Sequence, residues 1–167
     1  MIKTEKNYIF TVNAYNRPGV MQRISMIFFR RRININTINA GHYEFRAGEL
    51  SRVTVTFQLE EERIENLKRQ LEKLIDIHSV DVYQEDMQSH YRKELVLIMA
   101  NIPHQNLIKI TENENCDVKL IQENNETSQS LVQIVGSPED IENIIKKLGK
   151  DVVIRAHRSG LAIIPTL

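Results

Sequence analysis

With 167 residues, 41% of them hydrophobic, the chain has material for one ordinary domain or two small ones, and either could bury a core. Lysine plus arginine equals aspartate plus glutamate at 22 each, which removes the long-range field that draws a protein to nucleic acid or to an anionic membrane surface. The single cysteine, Cys116, allows no internal disulfide and gives no support for a cysteine-based metal site, no run approaches the roughly 20 apolar residues of a membrane helix, and the start lacks a signal peptide's apolar centre, so a cytoplasmic location is expected.

Tyr8 to Ala14 is apolar and β-branched enough for a buried strand, and Asn16-Arg17-Pro18-Gly19 breaks it with turn chemistry. Val20, Ile24, Ile27 and Phe28 then recur at helical spacing up to Arg30, Arg31 and Arg32, whose cations suit the negative end of a helix dipole. Ile33 to Asn39 alternates apolar and polar residues, which predicts a strand with one face covered. After a loop over Gly41 to Glu49, Val53, Val55 and Phe57 alternate again and complete a hairpin. Glu60, Glu61 and Glu62 suit the positive end of a helix with the stripe Ile64, Leu67, Leu71 and Leu74, and Ile77 to Tyr83 closes the unit as a last strand.

The polar residues Gln84 to His90 read as a linker, after which the same grammar returns. Leu95 to Ala100 predicts a strand, and Pro103 opens a helix with Leu107, Ile108 and Thr111 inward. Cys116-Asp117-Val118 opens the next strand, and Val118 to Ile121 and Leu131 to Val135 flank the polar run Glu123 to Gln129 as a second hairpin. Ser137-Pro138-Glu139-Asp140 combines a capping serine, proline at the first helical position and acids in the first turn; Ile141, Ile144, Ile145 and Leu148 follow as the buried stripe, and Gly149 ends it. Val152 to Ala156 is the final strand. The fold class is therefore α+β, two tandem ferredoxin-like βαββαβ modules.

Signatures of catalysis are missing from the sequence. The histidines at 42, 78, 90, 104 and 157 form no pair at helical ligand spacing, and the phosphate-binding glycine loops and the G-x-S-x-G nucleophile turn are absent. His157 and Ser159 would share a strand face, but no third group orients them as base and nucleophile. The turn Asn16 to Val20 is different, because a strand-to-helix turn leaves backbone N–H groups free for a carboxylate, and Gly19 lets a ligand approach them. Asn34 offers an amide donor and acceptor, a pair of functions suited to a zwitterion.

Asn16 to Gly19, the helix to Arg32, Asn34-Ile35 and Leu50-Ser51-Arg52-Val53-Thr54-Val55 together resemble the regulatory small subunit of acetolactate synthase, also called acetohydroxyacid synthase. Lys73-Leu74-Ile75-Asp76-Ile77, Arg92-Lys93-Glu94-Leu95 and His157-Arg158-Ser159-Gly160 extend the resemblance in the right order over about 150 residues. It implies an ACT domain over residues 1–84, for effector binding and dimerisation, and a C-terminal ACT-like regulatory domain over 91–167. It further implies a homodimer in which Asn16, Gly19, Val20 and Met21 of one chain contact a small amino acid and Asn34 and Ile35 of the partner complete the pocket. On this resemblance the chain has no active site, metal or cofactor of its own. It would bind the large catalytic subunit, which carries thiamine diphosphate, magnesium and FAD, activate it, and confer feedback inhibition by valine or another branched-chain amino acid. No nucleic acid or membrane partner is implied. The alternative is a stand-alone ACT-domain amino-acid sensor that regulates transcription or another enzyme, although the sequence lacks a DNA-reading element. Two positions depart from the family's pattern: Gln22 stands where a small hydroxyl residue is common, and Arg32 where glycine is common.

Overall fold

The computed structural model describes residues 4–42, 50–85 and 90–166. The elements run β1 (Lys6–Tyr15), α1 (Val20–Arg30), β2 (Ile35–His42), β3 (Leu50–Leu59), α2 (Glu61–Glu72), β4 (Ile77–Gln84), β5 (His90–Ala100), α3 (His104–Thr111), β6 (Asp117–Asn124), β7 (Gln129–Gly136), α4 (Pro138–Leu148) and β8 (Val153–Pro165). They divide into two compact units, the boundary falling between His90 and Tyr91. Each is a ferredoxin-like βαββαβ module with its own four-stranded sheet, ordered β2-β3-β1-β4 in the first and β6-β7-β5-β8 in the second. No helix among the described residues is long and apolar enough to cross a membrane.

In the first unit the alternation of β1 and β3 sets the core. Tyr8, Phe10, Val12 and Ala14 share a sheet face with Val53, Val55, Phe57 and Leu59, and onto it pack Ile24 and Phe28 of α1 and Leu67 and Leu71 of α2. Phe57 is the hinge of this packing: Phe10 and Phe28 meet its ring edge-on at centroid distances of 4.9 and 5.2 Å. Helix α1 ends by the sequence it meets. Ile33 N–H reaches back to the Phe28 carbonyl and Arg32 N–H to that of Phe29, both at 3.0 Å, while Arg32 takes a left-handed φ of 55°. This is a Schellman ending, with Ile33 buried as its apolar closing residue. Ile33 therefore belongs to the helix stop, and the strand expected from Ile33 to Asn39 runs instead from Ile35 to His42, with a register shift between Ile35 and Thr37. Gly41 and His42 lie in that strand; the rest of the expected loop, residues 43–49, lies outside the described residues.

In the second unit Val96, Ile98, Ala100, Val132 and Ile134 meet Leu107, Ile141, Ile144 and Leu148. Ser137 caps α4 by accepting the Asp140 N–H at 3.1 Å, as its sequence predicts. Four expectations are corrected. Ile108 is exposed, because the eight-residue α3 turns only the narrow stripe of Leu107 and Thr111, with Ile110 beside it, onto the core. The supposed linker is shorter, since Gln84 closes β4 and His90 opens β5. The polar hairpin loop is also shorter: Glu123 and Asn124 continue β6, Gln129 begins β7, and Asn124 Oδ1 accepts the Glu126 and Thr127 N–H groups to make the turn. The last strand, expected to stop at Ala156, continues to Pro165. Its polar stretch stays in the sheet because Arg158 forms a two-pronged ion pair with the buried Glu94 at 2.6 and 2.8 Å and Ser159 Oγ accepts the Leu95 N–H at 3.2 Å.

Candidate functional site

Strand β1 and helix α1 of the first unit hold the turn singled out in the sequence. Arg17 N–H donates to the Tyr15 carbonyl at 2.8 Å, Val20 N–H to Arg17 at 3.3 Å, and the first helical bond runs from Arg23 N–H to Gly19 at 3.0 Å. Gly19 sits at the helix start with φ 84° and ψ −4°, a left-handed conformation that explains why glycine stands there. No side chain caps the helix, and among the described residues no acceptor takes the N–H groups of Met21 and Gln22. Val20 is buried in the core and so supports the turn from below, whereas Asn16, Gly19 and Met21 are exposed.

The other expected site residues stand elsewhere in the chain. Asn34 is exposed just before β2, and Ile35 begins that strand half-buried. Ile35 pairs with Phe57 and Phe57 with Tyr8, whereas the turn leaves β1 after Tyr15, which pairs with Leu50. Seven strand residues separate the two places, about 23 Å at 3.3 Å per residue. One copy of the unit therefore does not bring Asn34 and Ile35 to the Asn16–Met21 turn. Strand β2 is an edge of its sheet, and Ile38 on it is 43% exposed.

Three residues at the turn were missed from sequence as members of a site. Asp76, buried between α2 and β4, faces the guanidinium groups of Arg23 and Arg17. The signal was present: an acid inside the apolar run Leu74-Ile75-Asp76-Ile77 needs a partner if the chain buries it.

Elsewhere the polar groups are committed or isolated. Ser159 Oγ is engaged with the Leu95 N–H and the Gly160 carbonyl, so His157 has no nucleophile to activate. Cys116 lies just before β6, and burial, followed by the Asp140 charge, raises its thiol above the ordinary range. Among the described residues no group of three or more His, Cys, Asp or Glu is placed to hold a metal ion.

A four-stranded antiparallel sheet under two helices, repeated once along the chain, defines a pair of ACT-type modules, the first of which carries an open strand-to-helix turn at one end. Residues 10–79 match the family described as the AHAS small subunit-like ACT domain. The acetolactate synthase small subunit of Mycolicibacterium smegmatis is 26% identical over 155 residues, which is 92% of this chain and 88% of that one. The Bacillus subtilis small subunit is 41% identical over 92 residues, 54% of this chain and 51% of its own length. The crystal structure of the Thermotoga maritima small subunit superposes with a TM-score of 0.81 at 21% identity, covering 97% of this chain and 98% of that one, so the same two-module fold is present. The chain is thus similar over most of its length to acetolactate synthase small subunits, and its residues 10–79 match the ACT domain of that family.

Proposed function

We propose that this chain is a regulatory subunit that binds the thiamine-diphosphate-dependent catalytic subunit of acetolactate synthase, raises its activity and makes it responsive to valine or another branched-chain amino acid. The effector lies between the first units of two copies. Asn16, Gly19, Val20 and Met21 of one copy form the half that meets its carboxylate, and Asn34 and Ile35 of the other complete the pocket.

The observation that carries this reading is the separation of the two half-sites across one sheet whose edge strand is β2. An antiparallel joining of β2 to the β2 of a second copy carries the Ile35 end of one strand toward the His42 end of the other. That is the end where the second copy's Asn16–Met21 turn stands. Exposed Ile38 gives the joint apolar surface, and an unpaired edge favours such pairing. Effector in the joint favours one arrangement of the pair, and the catalytic chain responds to that population. A ligand of about eight heavy atoms binds with at most on the order of 10 kcal/mol, and a coupling of about 1–3 kcal/mol is enough for regulation.

The test is reconstitution of the catalytic subunit with wild type, Gly19→Asp and Asn34→Ala, with activity followed against valine, leucine and isoleucine. Aspartate is an ordinary helix cap, but ordinary caps have an extended backbone. At φ 84° the substitution costs about 1–2 kcal/mol, a loss a typical folded domain survives. Asn34→Ala is free of that cost. All three chains should activate, and only wild type should respond to the amino acid. An unchanged concentration dependence in Gly19→Asp rejects the site, and failure of wild type to bind the catalytic subunit in a pull-down rejects the partner in favour of a stand-alone sensor.

A further inference from the structure

Asp76 has a side chain only 7% exposed, and both of its carboxylate oxygens face guanidinium groups at the β1–α1 turn. Oδ2 lies 2.5 Å from Nη2 of Arg23, and Oδ1 lies 3.6 Å from Nη1 of Arg17. The carbonyl of the same residue accepts the Tyr15 N–H at 2.9 Å, so one residue fixes both the end of β1 and the charges beside it.

The two arginines differ in what they have left to give. Arg23 is committed to Asp76, and its Nη1 stands 3.0 Å from where a Cβ on Gly19 would be, so it lies directly across the glycine. Arg17 is 64% exposed, and its separation from Asp76 is too long for a hydrogen bond. Its guanidinium carbon lies 5.1 Å from the centroid of the Tyr15 ring, which holds the plane of the group without using its donors. Among the described residues the five N–H donors of Arg17 make no side-chain hydrogen bond. Two guanidiniums and one carboxylate leave this cluster with one positive charge, carried by the arginine that is free to turn outward.

We propose that Arg17 recognises the α-carboxylate of the effector beside the turn and that Asp76 is a positioning residue, fixing Arg23 across Gly19 so that Arg17 is the guanidinium left to receive the ligand. This rests on the reading of the Asn16–Met21 turn as the effector site. The planar fork of an arginine pairs with a carboxylate through two parallel hydrogen bonds, which a carboxamide of the same shape cannot match in charge. The site therefore selects a small monocarboxylate, and the selection resides in Arg17 rather than in the backbone of the turn.

The experiment is calorimetric titration of the full chain with valine and with valinamide, in wild type, Arg17→Gln, Arg17→Lys and Asp76→Asn, each checked for fold by circular dichroism. Wild type should prefer valine over valinamide by at least about tenfold, the range of one hydrogen bond to a charged group. Arg17→Gln should lose about 10- to 100-fold in valine affinity and bind the two compounds nearly alike, while Arg17→Lys keeps part of the preference. Asp76→Asn should bind both compounds more weakly yet keep the preference, because the guanidinium remains and only its placement is lost. A role of Arg17 limited to stability would move the melting temperature of Arg17→Gln and leave its valine-to-valinamide ratio as in wild type, which overturns the assignment. If wild type binds no branched-chain amino acid, the effector reading of the turn fails and this inference with it; if wild type binds valine and Arg17→Gln binds it equally well, this inference alone fails.

Discussion

Arg32→Gly should make the first unit more stable, although it deletes a charged side chain. Arg32 has φ 55° because the Schellman ending of α1 requires a left-handed residue at that step. An L-residue with a Cβ gives up about 1–2 kcal/mol there, and glycine gives up none. Glycine in turn adds about 0.4–1 kcal/mol of freedom to the unfolded chain. Arg32 is exposed and forms no ion pair or side-chain hydrogen bond among the described residues, so nothing further is lost. The net gain is about 0.5–1 kcal/mol, which in a unit of this size raises the melting temperature by roughly 2–8 °C. Urea unfolding followed by tyrosine fluorescence should show a higher midpoint with an unchanged slope. Arg30→Gly is the control: in the last helical turn of α1, with an ordinary helical backbone, it should lower stability by about 1 kcal/mol. An unchanged or lower midpoint for Arg32→Gly, or the same response from both variants, refutes the account of the helix ending.

Two further outcomes follow from the second unit. Arg158→Gln should cost more than Glu94→Gln, about 2–4 against about 1–2 kcal/mol by urea unfolding, because the first leaves a buried carboxylate without its partner while the second leaves a guanidinium that can turn to water; equal losses would mean that the pair is not asymmetrically buried. Cys116 should resist alkylation by iodoacetamide up to a higher pH in the native protein than in urea. Its folded-state thiol is held above the unfolded value, so the neutral form favours the fold below about pH 8.5, and that contribution is lost as pH rises through the folded value; coincident native and denatured rate profiles would contradict this.

The elements easiest to read from sequence were those in which one pattern alone decides the outcome. The apolar, β-branched run of β1, buried from Tyr8 to Ala14, and the capping sequence before α4 specify their elements locally. What escaped was decided by partners distant in sequence. Ile33 fits an alternating strand, but its burial against Phe28 makes it the end of a helix. Arg158 and Ser159 end an apolar pattern, yet Glu94 and the Leu95 N–H, more than sixty positions earlier, retain them in the sheet. Asp76 sits inside a motif that carried the family resemblance, but only the fold brings Arg17 and Arg23 to it. The candidate site residues read from sequence as a turn and a strand start; that one chain holds these two places about seven strand residues apart follows from register, which periodicity does not give.

The two units share a scaffold and differ at the start of their first helices. In the first, Ala14 pairs with Ser51 and Ser51 with His42; in the second, Ala100 pairs with Ser130 and Ser130 with Glu123. These rows occupy the same position, at the end of the sheet where the first helix of each unit begins. In the second unit the Glu123 carboxylate accepts the N–H of His104, the first residue of α3, at 2.8 Å, and Pro103 before it has no N–H to offer. With the Pro103 carbonyl accepting the Asn106 N–H at 3.0 Å, two of the first three N–H groups of that helix are satisfied from within the chain, and the Gln105 N–H alone meets no acceptor among the described residues. In the first unit the corresponding strand position is His42, Pro18 and Gly19 lengthen the turn, and the Met21 and Gln22 N–H groups meet no acceptor among the described residues. A carboxylate is thus built in at one helix start and not at the other, the difference that the proposed effector, bringing a carboxylate of its own to the first unit, requires.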